Sequence, residues 1–355
     1  MIKVVVKRVT YLDENVRRRK GMKKHVIVVA VIVAVLCMAA CGDAQQDLQA
    51  DTTQQVATNE AAPEQEEVQQ AIAEEETDTV DNSSVGSVTD IYNYEEGIPE
   101  ITDVSETEKQ IYFYRDGLKI FGKLYLPEGE GPFPVLVMQP GFRGSQSICG
   151  SMKEQFLENK IACITFDCIG ATSPSKSDGM ILDMTFLTEV ADMNVVLDCI
   201  SQLPNLDKDN VFVYGHSVGG LVATYTATHR SDVRGIIAAE PSYQMQDEFN
   251  YFFPNDNEIP DSFQEPLYGG KQMVIDAKAM NPYENMEEYG NSVIIFAGGK
   301  APSIGAEAKE YLDKAVELFP NAELVCIEEA DHSFSGEASA KVIEASVDFI
   351  KSNTK

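Results

Sequence analysis

The sequence predicts an α/β domain: a mostly parallel, eight-stranded sheet with helices on both faces and a small helical cap. Three observations carry this. Short apolar, β-branched runs recur after residue 107, amphipathic stretches at helical spacing separate them, and a glycine-flanked serine sits where one run gives way to a helix.

Taken in order, "IYFYRDGLKIFGKLYLP" alternates about Asp116-Gly117 and reads as a hairpin, the first two strands. Six runs of buried-strand type follow: "PVLVMQ" (134–139), "IACITFD" (161–167), "VFVYG" (211–215), "VRGIIAAE" (233–240), "SVIIFAG" (292–298) and "AELVCIEE" (322–329). Segments such as "MTFLTEVADMNVVLDCISQL" (184–203) carry apolar residues at helical spacing and supply the crossovers. Strands separated by helices imply right-handed crossovers and a parallel sheet covered on both sides. Residues 242–291 are too long for a simple crossover and hold nine aromatics, so they are expected to form the helical cap, over the edge of the sheet where α/β proteins bind ligands.

The first 106 residues read differently. "MKKHVIVVAVIVAVLCMAAC" has the charged start, short apolar run and small residues of a secretory signal, which gives a signal segment over 1–40. The twenty residues before Met22 fit that pattern poorly, and translation is expected to start at Met22. From Gly42 to Glu108 there is no Lys or Arg, and Asp, Glu, Gln, Thr and Ala dominate. Such a stretch buries too little apolar surface to offset its ordering entropy, so 41–106 is expected to be a disordered acidic tether spanning on the order of 45 Å. The domain proper is 107–355.

Charge and cysteines exclude several functions. The chain carries 28 basic and 57 acidic residues, and nine of the basic ones fall within 1–24. What remains after the signal has a net charge of about −36, which argues against nucleic acid or anionic lipid as a ligand. Cys149, Cys163, Cys168, Cys199 and Cys326 have no metal-ligand spacing, and an odd set leaves at least one thiol unpaired. No metal or organic cofactor is expected.

Gly215-His216-Ser217-Val218-Gly219 matches G-x-S-x-G between a predicted strand and a predicted helix, the context of a nucleophile elbow. A serine hydroxyl needs a base. Beyond the signal, the histidines are His216, inside the elbow, His229, late in the following helix, and His332, just past the last strand. Position selects His332. The backbone N–H of Val218 and one from the loop "QPGFRGS", at Phe142, are the candidate donors to a developing oxyanion.

With "RDGLKIFGKLYLPEGEGPFPVLVMQPGF", "FDCIGATSPS", "MTFLTEVADMNVVLD", "GHSVGG" and "DHSFSG" in this order, residues 107–355 resemble the α/β-hydrolase superfamily. Within it they look like bacterial esterases of the cinnamoyl or feruloyl esterase and acyl-aminoacyl-peptidase-like type. The resemblance implies an α/β-hydrolase fold, Ser217 as nucleophile, His332 as base, and Phe142 and Val218 as the oxyanion hole. Pro140 departs from the histidine usual before Gly141. The ending "CMAACG" resembles a bacterial lipobox, which implies lipidation of Cys41 and a domain held at the extracellular face of the cell membrane by that anchor alone.

The acid of the triad is missing from its usual loop. After the seventh strand the resemblance calls for an aspartate, and here Gly299 and Ala301 stand in "FAGGKAPSIG". Three readings follow: the acid has moved to Glu240 at the tip of the preceding strand, the enzyme works as a dyad, or the pocket binds ligand without turnover. Asp331 is too close to its neighbour His332 for the usual geometry. The expected activity is hydrolysis of a small-molecule carboxylic ester through an acyl-serine, on hydroxycinnamoyl or other small acyl groups. The alternative is a surface lipoprotein that binds on a catalytically impaired scaffold. The aromatics of the cap either line an acyl pocket or fasten the cap to the core.

Overall fold

The computed structural model describes residues 92–150, 152–172, 174–300 and 306–355. The expected signal segment, Met22, Cys41, most of the acidic stretch and Ala301 lie outside these. One nine-stranded sheet organises the chain, in the order β1-β2-β3-β5-β4-β6-β7-β10-β11.

β2 (Glu108–Arg115) and β3 (Leu118–Tyr125) form the predicted hairpin. Asp116 and Gly117 both have positive φ, the primed turn whose twist matches that of the flanking strands. β4 (Phe133–Gln139), β5 (Ala162–Phe166), β6 (Leu206–His216), β7 (Val233–Ala239), β10 (Ser292–Gly298) and β11 (Ala322–Ile327) pair in parallel and match the six predicted runs. The ninth strand corrects the expected eight. β1 (Glu100–Asp103) lies in the acidic stretch expected to be disordered to residue 106, and it pairs antiparallel with β2 at the sheet's outer edge. The ordered chain therefore starts before residue 107, because the backbone of β2 offers a free edge that a polar segment can join without burying a side chain.

The helices alternate with the parallel strands. α1 (Met152–Glu158), α2 (Phe186–Asp198), α3 (Val218–Thr228), α6 (Ala306–Leu318) and α7 (Glu337–Asn353) cover the sheet, whose strand side chains are almost wholly buried in β4, β5 and β7 and from Asn210 to Gly215 of β6. α2 opens with a capping box in which the Thr185 hydroxyl accepts from the Thr188 N–H at 3.1 Å.

Between β7 and β10 come α4 (Met245–Phe252), the short strands β8 (Ser262–Phe263) and β9 (Gly269–Gly270), and α5 (Lys271–Ala279). Most of the aromatics here fasten this segment down. Phe249 meets Phe186 of α2 edge-on at 5.7 Å and Phe263 at 5.9 Å, and Tyr243, Phe249, Phe263 and Tyr289 are buried. The Thr185 hydroxyl, already the cap of α2, also donates to Asp276 of α5 at 2.6 Å. Cys168 and Cys199 are buried free thiols, Cys163 is buried, and Cys326 is an exposed free thiol.

Candidate active site

β6 ends at His216 and α3 begins at Val218, so Ser217 sits alone at the corner. Its φ of 58° and ψ of −126° are a conformation that a residue with a Cβ adopts only under constraint. Backbone bonds supply that constraint, one of them from the Leu221 N–H to the Ser217 carbonyl at 3.3 Å. The Ser217 N–H donates to Ala239 at 3.0 Å, and its carbonyl accepts from Gly220 at 2.9 Å and from Ser242 at 3.1 Å. Gly219 permits the close approach of α3 to the strand beside it, since a Cβ there would lie 2.3 Å from the Pro140 carbonyl. The hydroxyls of Ser217 and Ser242 are 3.5 Å apart.

The loop after β4 reaches this corner. A Cβ built on Gly141 would stand 4.0 Å from that of Ser217. Gly141 to Gly144 form a tight turn closed by the Gly144 N–H to the Gly141 carbonyl at 2.7 Å, with Phe142 and Arg143 at its centre. Neither the Phe142 nor the Val218 N–H donates to the backbone of another described residue. Val218 also opens an eleven-residue helix, whose N-terminal end favours negative charge.

His332 lies past β11 in a loop that Asp331 holds in shape. The Asp331 carboxylate accepts from the N–H groups of Ser333 at 3.1 Å and Ser335 at 3.0 Å, and those bonds keep its pKa below the usual carboxylate range. A second support is His216, which motif reading treats only as the variable residue of the elbow. Its Nε2–H donates to the His332 carbonyl at 2.7 Å, and the two rings lie 4.9 Å apart. Burial, aided by the neighbouring His332, lowers the His216 pKa to about 4, so at neutral pH it is an uncharged brace. No sequence signal reveals this role, because it depends on where the distant loop lands.

Glu240 stands one residue beyond β7 at φ 47°, with a side chain only 4% exposed. Its N–H donates to the Phe296 carbonyl at 2.9 Å, and its Oε1 accepts from the Gly298 N–H, so the residue laces the tips of β7 and β10. Its Oε2 is 3.8 Å from His332 Nδ1. That is longer than a formed hydrogen bond, and apo active sites often show such gaps before substrate tightens them. In the loop after β10 the N–H of Gly299 donates to Ile327 and that of Lys300 to Ala330, while Gly299 offers no side chain.

A second polar cluster lies below the turn. Gln139, the last residue of β4, donates from Nε2 to Glu189 of α2 at 3.0 Å and to the Cys168 sulfur at 3.2 Å. Nearby, Arg115 donates to Asp192 at 2.7 Å, and the other Asp192 oxygen accepts from the Ile169 N–H at 2.7 Å. Burial raises the Glu189 pKa well above the ordinary carboxyl value, and the Asp192 charge adds to it. Among the described residues no group of three or more His, Cys, Asp or Glu is arranged to hold a metal ion.

Comparisons with known proteins agree with this architecture. The family model described as serine aminopeptidase, S33, matches residues 131–337. A thiohydrolase of Aspergillus aculeatus is 31% identical over 128 residues, 36% of this chain and 39% of its own length. The match thus spans well under half of that relative. Among solved structures, Est1E from Butyrivibrio proteoclasticus with ferulic acid bound superposes with a TM-score of 0.61 at 22% identity, over 68% of this chain and 98% of that one. Acetyl xylan esterase 1 from Thermoanaerobacterium sp. JW/SL YS485 gives 0.54 at 14% identity, over 76% and 99%. At these identities the structural likeness is one of fold, the α/β-hydrolase fold.

Proposed function

The chain belongs to the serine aminopeptidase S33 family of α/β hydrolases, and from that premise we propose that it is a serine carboxylic-ester hydrolase acting through an acyl-serine intermediate. The observation that carries the reading is the strained Ser217 at the strand-to-helix corner, on the same sheet edge as a histidine that faces a buried carboxylate. Ser217 Oγ attacks the ester carbonyl while His332 takes its proton. Glu240 Oε2 orients the imidazole through Nδ1 and offsets its charge. The N–H groups of Phe142 and Val218 receive the oxyanion. Collapse breaks the bond to the alkoxy oxygen, which leaves as the alcohol with the proton from His332. Water then attacks the acyl-serine, gives a proton to His332, and releases the carboxylic acid and the free Ser217 hydroxyl.

Esters are favoured over peptides with a free N-terminus for an electrostatic reason. An α-ammonium group needs a carboxylate oxygen aimed at it beside the site, and of the two carboxylates described next to His332, Glu240 is turned to Gly298 and His332 and Asp331 to Ser333 and Ser335. Hydroxycinnamoyl and other small acyl groups are the proposed range. The reading includes a location, the extracellular face of the membrane with Cys41 lipidated, supported by the sequence of 22–41.

Hydrolysis of 4-nitrophenyl acetate and covalent labelling by a fluorophosphonate probe test the assignment against Ser217→Ala. The expected result is labelling of the native protein alone and turnover at least about 10³-fold above the variant. Equal rates and no labelling would leave the second reading, a ligand-binding protein, for which the long Glu240–His332 gap is the supporting observation.

A further inference from the structure

We infer that Arg143, in the turn beside the oxyanion donors, is the site of recognition for a carboxylate carried by the substrate. The inference rests on the ester-hydrolase reading and narrows its substrate class. Its first support is conformational. Arg143 is the third residue of the Gly141–Gly144 turn and has a φ of 60°, where glycine is the ordinary occupant and a long side chain is strained. A side chain kept at such a position beside a reactive serine calls for a use.

The second support is an unmet donor. Arg143 Nε is buried and has no hydrogen-bond partner, and no carboxylate of a described residue pairs with the guanidinium. A buried guanidinium N–H without an acceptor is costly, and a carboxylate meets it with charge-assisted bonds in the planar geometry that suits both groups. The carboxylate bound to the same loop is unavailable. Asp167 accepts from the N–H groups of Gln146 at 2.6 Å and Lys176 at 2.8 Å.

The third support is placement. The guanidinium carbon lies 5.8 Å from the ring centre of Tyr268, in the segment between β8 and β9, so the charge faces the space between the oxyanion loop and the cap. The Thr172 hydroxyl holds the Arg143 carbonyl at 3.2 Å, which fixes the backbone from which the side chain projects. In a chain of net charge −29, an arginine held free of carboxylates beside Ser217 is a local feature that selects for a negative group.

The test uses two matched ester pairs, so that the carboxylate is offered on either side of the scissile bond. One pair is the mono-4-nitrophenyl ester of glutaric acid and 4-nitrophenyl butyrate, and the other is 4-acetoxybenzoate and its methyl ester. The anionic member is expected to be preferred in at least one pair. Arg143→Gln should lower that preference about 10- to 100-fold, chiefly through KM, and Arg143→Lys should restore part of it. Calorimetric titration with free glutarate and benzoate supplies a readout independent of turnover, with binding expected to the native protein and lost in Arg143→Gln. Unchanged preference in both pairs, or binding of both acids that survives Arg143→Gln, would overturn the inference. If no ester is turned over yet Arg143-dependent acid binding persists, the ester-hydrolase reading fails and the anion site stands.

Discussion

Glu240 and Glu189 are both buried carboxylates one step from the catalytic strands, and they live in opposite chemical company. Glu240 accepts a backbone N–H on one oxygen and faces the His332 imidazole across 3.8 Å with the other. Glu189 meets one amide N–H, has the Asp192 carboxylate beside it, and is pushed by burial toward its neutral form. The Oε1 atoms of Glu189 and Gln139 are both buried and unpartnered, which fits an acid held toward its neutral form. Burial alone does not decide what an acid does. The donors within reach decide whether it serves as a charge or as a hydrogen-bonding wedge.

The same substitution at the two positions should therefore give unlike results. Glu240→Gln retains an oxygen for the Gly298 N–H but presents an NH₂ group to His332, and kcat on 4-nitrophenyl acetate is expected to fall about 10³- to 10⁴-fold with the fold intact. Turnover equal to that of the native protein would remove Glu240 from the mechanism and leave a serine–histidine dyad. Next in size is Asp192→Asn, which sharpens the contrast by breaking an acid that has a cation. It leaves the buried Arg115 guanidinium with only the longer contact to the half-exposed Asp116 at 3.4 Å, and urea unfolding should register a loss of about 3 kcal/mol. The smallest effect belongs to Glu189→Gln, an isostere of the neutral acid. Stability is expected to change by less than about 1 kcal/mol at pH 7, and a loss as large as that of Asp192→Asn would mean that Glu189 is ionised after all.

Much of this was legible before any coordinates. The parallel strands announced themselves through their apolar runs, the hairpin through Asp116-Gly117, and the elbow through the glycines flanking Ser217, because each of these is a local demand of the backbone. The contrast at the acids was only half legible. A glutamate at a strand tip invited suspicion, yet its bond to Gly298 belongs to a strand more than fifty residues away. His216 bracing the His332 loop was hidden for the same reason, a separation of 116 residues. β1 escaped because "EITD" is short, exposed and without an alternating apolar face, so nothing but a neighbouring strand edge makes it a strand. The cap's aromatics fitted a pocket and an anchor equally well, and edge-on packing of Phe249 against Phe186 favours the anchor.

β1 has one more effect, on how these molecules tolerate one another. A nine-stranded sheet ends in two unsatisfied backbone rims that invite a stranger's strand. One rim is this four-residue strip, exposed throughout and carrying Glu100 and Asp103, and the other is β11, with Glu323 outward. The first border is short and polar enough to discourage a copy from pairing there, whereas β11, with Leu324, Val325 and Cys326 beside a single acid, is the rim where a stranger's strand would find more to hold.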